Sequence, residues 1–210
     1  MRRIGACPDA ANGEYARVMK GPTLSGMLLA AVLVSSALGR KPDVGFVPTP
    51  PSAVERMVEM AEIRPSDLVY DLGCGDGRIV IAAAKQQKIK AVGVDIDPER
   101  VAESRENVRT AGLESLVEIR QADVFDLDLS EADVVFLYLT PRLNARLMPQ
   151  LRKLKPGARI ISYEFDMGNA KPVEVVREKF DQYGEQKIYK WVVPWEESDA
   201  GSWDIFTLSP

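Results

Sequence analysis

In the stretch VYDLGCGDGRIV, residues 69–80, Asp71 closes an apolar run and Gly73, Gly75 and Gly77 lead into a helical pattern. Glycines at such a turn let a ligand approach the backbone, and the N-terminus of the following helix favours negative groups. Two more acids close later apolar runs: Asp95 in VGVDID and Asp123 in QADVFDL. A carboxylate about 20 residues beyond the glycines suits a pair of ribose hydroxyls, because it accepts from both. Asp123 is placed to accept from an adenine amino group with Val124 beside the ring, and Ile96 joins the same set next to Asp95. Capping or turn chemistry is the alternative role for Asp71 and Asp123. Asp97, followed by Pro98, reads as a helix cap.

A glycine loop alone serves several ligands. The dinucleotide form GxGxxG would put its third glycine at 78, where this chain has Arg78. A pyrophosphate near Asp71 would also be repelled in a low-dielectric cleft. S-adenosylmethionine carries a sulfonium and an ammonium, which a carboxylate favours, and its single carboxylate can use the helix N-terminus near Gly77.

The elements that position these residues follow from periodicity. Ser52-Ala-Val-Glu55 has the form of a capping box, and Val54, Met57, Val58 and Ala61 recur at helical spacing, so a helix is expected over 52–63. Strands are expected over 68–70, 91–95, 116–121, 133–139 and 158–163, with helices over 79–87, 98–110 and 141–153. This alternation implies a Rossmann-like α/β sheet with helices on both faces. Two last strands, 187–195 and 203–208, joined by the polar turn EESDAGS, imply a C-terminal antiparallel hairpin. The expected domain covers 42–210.

The chain of 210 residues, 46% hydrophobic and 28% charged, has room for one domain with a sizeable core. It has no histidine and only Cys7 and Cys74, which excludes histidine triads, HExxH metal sites, zinc-ligand spacing and a disulfide framework. Residues 1–41 carry net charge +4 and residues 42–210 carry −8. An acidic body disfavours nucleic acid and suits a basic partner, or simply keeps the surface soluble. Residues 24–38, LSGMLLAAVLVSSAL, form an uncharged run short of the roughly 20 residues of a membrane span. They read as a signal-peptide core, a membrane anchor or a buried helix. Met19-Lys20 would make a conventional start codon region for such a segment.

These motifs together resemble the class I S-adenosylmethionine-dependent methyltransferases over residues 45–210, with DLGCGDG, VGVDID and QADVFDL as the matching stretches. The resemblance implies a seven-stranded sheet whose last strand is antiparallel. FVPTPPSAVERM is similar to a segment of amino-group methyltransferases, which implies that the Thr49 hydroxyl donates to the cofactor carboxylate; an inert connector is the alternative. The N-terminal apolar run, VPTP, the DLGCGDGRIV stretch and FLYLTP also resemble a family of membrane-associated protein-lysine methyltransferases, whose mitochondrial members act on an ATP-synthase ring subunit or the adenine nucleotide translocator. That resemblance implies a lysine acceptor in a protein.

Nucleic-acid amino methyltransferases carry Asn/Asp-Pro-Pro-aromatic after the fourth strand, whereas this chain has Tyr138, Leu139, Thr140 and Pro141. The missing carboxamide disfavours a nucleic-acid acceptor. Asn144 is a candidate to reach back, or a surface polar residue. Tyr138 either orients the amine or packs in the core. Glu164 and Asp166 either bind the substrate ammonium or are loop acids. A lysine needs no strong base here, because burial beside a positive sulfonium lowers its pKa. An RNA or small-molecule methyltransferase, and a cofactor-binding protein without catalysis, are the alternatives.

Overall fold

The computed structural model describes residues 41–182 and 184–198, so residues 24–38 and 203–208 lie outside the described residues. The element order is α1 (Pro51–Met60), β1 (Leu68–Leu72), α2 (Arg78–Gln87), β2 (Lys90–Asp95), α3 (Pro98–Thr110), β3 (Val117–Gln121), a 3-10 turn (Val124–Asp126), β4 (Val134–Leu137), α4 (Pro141–Leu151), β5 (Arg159–Tyr163), β6 (Glu174–Asp181) and β7 (Gly184–Val192). The seven strands form one sheet in the order β3-β2-β1-β4-β5-β7-β6. The first five are mutually parallel, and β7 is antiparallel to both β5 and β6. This is the expected Rossmann-like architecture with its antiparallel C-terminal hairpin.

Alternation along the strands sorts the core onto two faces. Val69, Val134 and Phe136 pack with α1, α2 and α3 through Met57, Val80, Ala84 and Val101. Leu72, Val135 and Leu137 face the other way and pack with α4 through Leu147, Met148 and Leu151. From β1 the chain first adds strands on one side, β2 and then β3, and afterwards on the other, starting with β4. The direction reverses between β1 and β4, and in open α/β sheets the crevice beyond the strand ends at such a point receives ligands.

Two local expectations are corrected. The first helix begins at Pro51 with Pro50 as its cap, and no side chain caps it. A proline in the first helical position loses no bond, since that N–H has no partner within the helix. Ser52 Oγ instead donates to the Phe180 carbonyl at 3.2 Å, tying α1 to β6. The second correction concerns the hairpin, which pairs β7 with β6 and places both strands before Val193. A strand over 203–208 falls outside the described residues. The sequence of β6, EVVREKFD, lacks a clean alternation because Arg177, Glu178 and Lys179 are all exposed or half-exposed on an edge strand.

Among the described residues no helix is long and apolar enough to cross a membrane.

Candidate functional site

The glycine loop is fastened to the neighbouring strand. The amides of Gly73 and Cys74 both donate to the Val94 carbonyl, at 2.8 and 2.9 Å, and the Gly75 amide donates to Asp95 Oδ2 at 2.9 Å. Asp95 Oδ1 accepts from the Asp97 amide at 2.9 Å, so each oxygen of this carboxylate is fixed by one backbone N–H and retains a lone pair. Close approach explains Gly93 on β2: a Cβ there would meet Cys74 Sγ at 2.9 Å. Gly75 has φ 54, and a Cβ on it would lie 2.1 Å from the Phe46 ring.

One cavity opens above these strand ends. Among its lining residues are Thr49, Asp71, Gly73, Asp95, Ile96, Asp123, Val124 and Tyr138, all singled out by sequence. Gly75 and Gly77 are not in the lining; Gly75 lies beneath the Phe46 ring, and Gly77, with φ 80, caps the N-terminus of α2. Asp97 accepts from the Glu99 amide at 2.8 Å, the cap expected of it. Asp123 likewise caps the 3-10 turn by accepting from Phe125 N at 3.0 Å, and its side chain still borders the cavity. Residues 42–47 form a wall of the cavity, as do Arg78, Arg100, Phe125, Leu139 and Leu143. Sequence reasoning missed these. Phe46 sits in the quoted FVPTP stretch, but nothing local signals its contact with a loop 29 residues away. In the sequence Arg78 stands only where a glycine pattern is interrupted.

Electrostatics distinguish this cavity. Six aspartates and two arginines line it. Asp71 is 2% exposed, and its Oδ2 has no hydrogen-bond partner among the described residues. Burial, with the charges of Asp95 and Asp76 adding to it, pushes the Asp71 carboxyl up to about 8. Burial also opposes ionisation of Asp76, but its hydrogen bonds and charge pairing with Arg78 hold it below the usual carboxylate range. Burial pushes the Cys74 thiol up, so it stays neutral and inert.

The candidates for the acceptor side separate. Tyr138, just beyond β4, borders the cavity; its ring meets Tyr163 edge-on at 4.8 Å and stacks with Phe165 at 6.3 Å. The expectation that Asn144 reaches back to an acceptor is not met. It is fully buried on α4, outside the cavity lining, and its Nδ2 donates to Ser162 Oγ, Phe165 O and Asp166 O at 3.3, 3.2 and 3.0 Å. The carbonyls of the loop after β5 capture its amide. Glu164 in that loop is half-buried with φ 65 and is absent from the lining; its backbone N–H donates to Lys187 O at 2.7 Å. Asp166 is exposed and accepts from the Gly168 amide at 3.0 Å.

This donor set fits S-adenosylmethionine. A buried carboxyl with an orphaned oxygen awaits a cation, and at Gly73 no side chain separates the cavity from the backbone. The many acids oppose a pyrophosphate.

Known proteins agree with that fit. Residues 71–174 match the family model described as the ANTKMT methyltransferase domain. The chain is 43% identical over 154 residues to a protein-lysine N-methyltransferase from Saccharolobus islandicus, covering 72% of this chain and 95% of that one. It is 30% identical over 173 residues to an adenine nucleotide translocase lysine N-methyltransferase from Mus musculus, covering 80% of this chain and 75% of that one. A crystal structure described as an RNA methyltransferase from Salinibacter ruber, in complex with S-adenosyl-L-homocysteine, superposes with a TM-score of 0.66 at 45% identity, covering 73% of this chain and 98% of that one. The chain therefore belongs to the S-adenosylmethionine-dependent methyltransferases of the ANTKMT-domain family.

Proposed function

We propose that this protein methylates the side-chain amine of a lysine in another protein. The observation that carries the reading is the composition of the cavity at the exit of β4. Tyr138, Leu139 and Leu143 line it there, and Thr140 Oγ1 accepts from the Leu143 amide at 3.4 Å as the cap of α4. No carboxamide or carboxylate stands at that exit, residues 138–141, to accept from a base amino group. An apolar, aromatic mouth beside a cationic cofactor favours the neutral form of an entering lysine. The relatives named as lysine methyltransferases support the same acceptor class.

Bound S-adenosylmethionine supplies a methyl group made electrophilic by its sulfonium. The protein's part is orientation and water exclusion. Asp71 holds the positive end, Asp95 the ribose hydroxyls beside Ile96, and Asp123 with Val124 the adenine. Gly73 gives the close backbone approach, Gly75 and Gly77 shape the loop beneath Phe46 and at the start of α2, and Thr49 donates to the carboxylate. Tyr138 would direct the lysine nitrogen towards the methyl group, through its hydroxyl or ring face. The ammonium would first lose its proton to solvent, and the neutral nitrogen could then accept the methyl group that the cofactor would supply. Glu164, on the loop next to Tyr163, attracts cationic residues flanking the acceptor.

The test is to incubate the purified chain and radiolabelled S-adenosylmethionine with membrane and soluble fractions of its source cells. Label in protein, recovered as methyl-lysine after hydrolysis, is expected. Label in RNA alone, or in small molecules alone, overturns the lysine reading. We further propose that residues 24–38 direct the domain to a membrane, on the strength of their sequence. Equal partition of the full chain and of a chain lacking residues 1–41 would refute that.

A further inference from the structure

Arg78 is the first residue of α2, and its guanidinium joins two separate pieces of chain. Nε donates to both oxygens of Asp76, at 2.9 and 3.0 Å, and Nη2 donates to Asp76 Oδ2 at 2.5 Å. Nη1 donates to the Thr49 carbonyl at 2.6 Å. Asp76 is itself anchored, because its backbone carbonyl accepts from Asn107 Nδ2 on α3 at 2.9 Å. The guanidinium thus connects a braced loop to the strap of residues 42–50, whose inner side walls the cavity. Further out, the strap meets the loop again where the Phe46 ring covers Gly75, with the Arg100 guanidinium 5.1 Å from the ring centroid.

Little else of the strap is buried. Val44, Phe46 and Val47 are 36, 42 and 61% exposed, while Thr49 is 4% exposed. A segment with so little buried apolar surface has low local stability, and a few specific contacts decide whether it stays closed. A charge-assisted fork that grips a carboxylate and a carbonyl at once is such a contact, and a lysine cannot reproduce it.

We propose that Arg78 is a positioning residue that clamps the strap 42–50 across the cofactor cavity, so that opening of the strap controls cofactor release. The proposal rests on the cofactor assignment above.

The test combines limited proteolysis of the free full chain with the release rate of S-adenosylhomocysteine. Arg78→Ala should raise chymotryptic cleavage after Phe46 roughly tenfold, about the effect of one charge-assisted hydrogen bond, and speed release by a similar factor. Cleavage within β1 and β2 should not change. Arg78→Lys should behave like Arg78→Ala, because an ammonium lacks the planar fork that grips both Asp76 oxygens while reaching the Thr49 carbonyl. Phe46→Ala should speed release with Arg78 intact, because it removes the second fastening of the same strap. Unchanged strap cleavage in Arg78→Ala, cleavage rising equally within β1 and β2, full rescue by lysine, or wild-type release in Phe46→Ala would each overturn the clamp. If the wild-type chain binds neither S-adenosylhomocysteine nor S-adenosylmethionine, the cofactor assignment falls, and strap cleavage in the free proteins still decides the clamp.

Discussion

Replacing Asp71 with asparagine keeps the shape of the side chain and removes its proton chemistry. Burial first, and the charges of Asp95 and Asp76 second, push this carboxyl up to about 8 in the free protein. At pH 7 only about one molecule in ten therefore carries the charge. A cofactor with a sulfonium and an ammonium needs it ionised, so binding must expel a proton at a cost of about 1.4 kcal/mol at pH 7. Wild-type affinity should then rise about tenfold from pH 6 to pH 7, with nearly one proton released per cofactor bound. Calorimetry in phosphate and in Tris, whose ionisation enthalpies differ, reads that proton directly. Asp71→Asn should bind more weakly at pH 7, show the same enthalpy in both buffers, and lose the slope between pH 6 and 7. Stability of the free protein has the opposite sign. The folded value lies above the unfolded value of about 3.9, so the contribution of Asp71 is complete below that value and is lost as pH rises towards 8. Asp71→Asn should accordingly raise the Tm of the free protein at pH 8. A wild-type binding enthalpy independent of buffer, or equal pH slopes for both proteins, would refute the reasoning.

Thr49→Val should weaken S-adenosylmethionine binding by about 1–2 kcal/mol, the size of one hydrogen bond to a charged group; an unchanged Kd by calorimetry would return residues 47–50 to the role of a connector. Gly75→Ala forces a side chain into the Phe46 ring at φ 54. The backbone alone should lower the unfolding free energy by about 1–2 kcal/mol in urea titration, and cofactor affinity should fall with it as the strap is displaced. Asn144→Ala removes the donor to Phe165 O and Asp166 O. It should cost about 1–3 kcal/mol of stability by the same titration without changing the Kd for S-adenosylhomocysteine, because Asn144 lies outside the cavity lining.

Legibility followed sequence distance. The acid-glycine run from Asp71 to Gly77, the paired strands β1 and β2 and the Asp97 cap each express themselves within a few residues, where turn chemistry and periodicity act. The exit of β4 was readable for the same reason. The partner of β7 was not, because an edge strand is guarded by charge and so loses the alternation that identifies buried strands. The start of α1 was misplaced by one residue because Pro51 competes with a capping serine and wins. The strap was legible as a stretch worth attention but not as a structure, since its two fastenings join residues 46 to 75 and 49 to 78. Asn144 shows the same limit: its type suggested chemistry, while its partners, 18 to 22 residues further on, make it a brace.

The charge of the cavity wall connects the cofactor to the acceptor. Both lining arginines are engaged: Arg78 by Asp76, and Arg100 by the Phe46 ring and Glu103. Against them stand Asp43, Asp95, Asp97 and Asp123, with Asp76 already paired to Arg78 and Asp71 largely protonated at pH 7 in the free protein. Within a low-dielectric cleft such an imbalance is screened far less than on an open surface. The field acts on two species in the same sense. It draws in a cofactor that carries a sulfonium and an ammonium, and it opposes phosphates, whether in a nucleotide ligand or flanking a base in RNA. A lysine-bearing segment is attracted along the same path until its ammonium reaches the apolar mouth at Tyr138 and Leu139. There desolvation and the neighbouring sulfonium oppose its charge. An anionic approach that ends in an apolar mouth thus selects a cation and then helps it give up the proton. That task requires no histidine, and this sequence contains none.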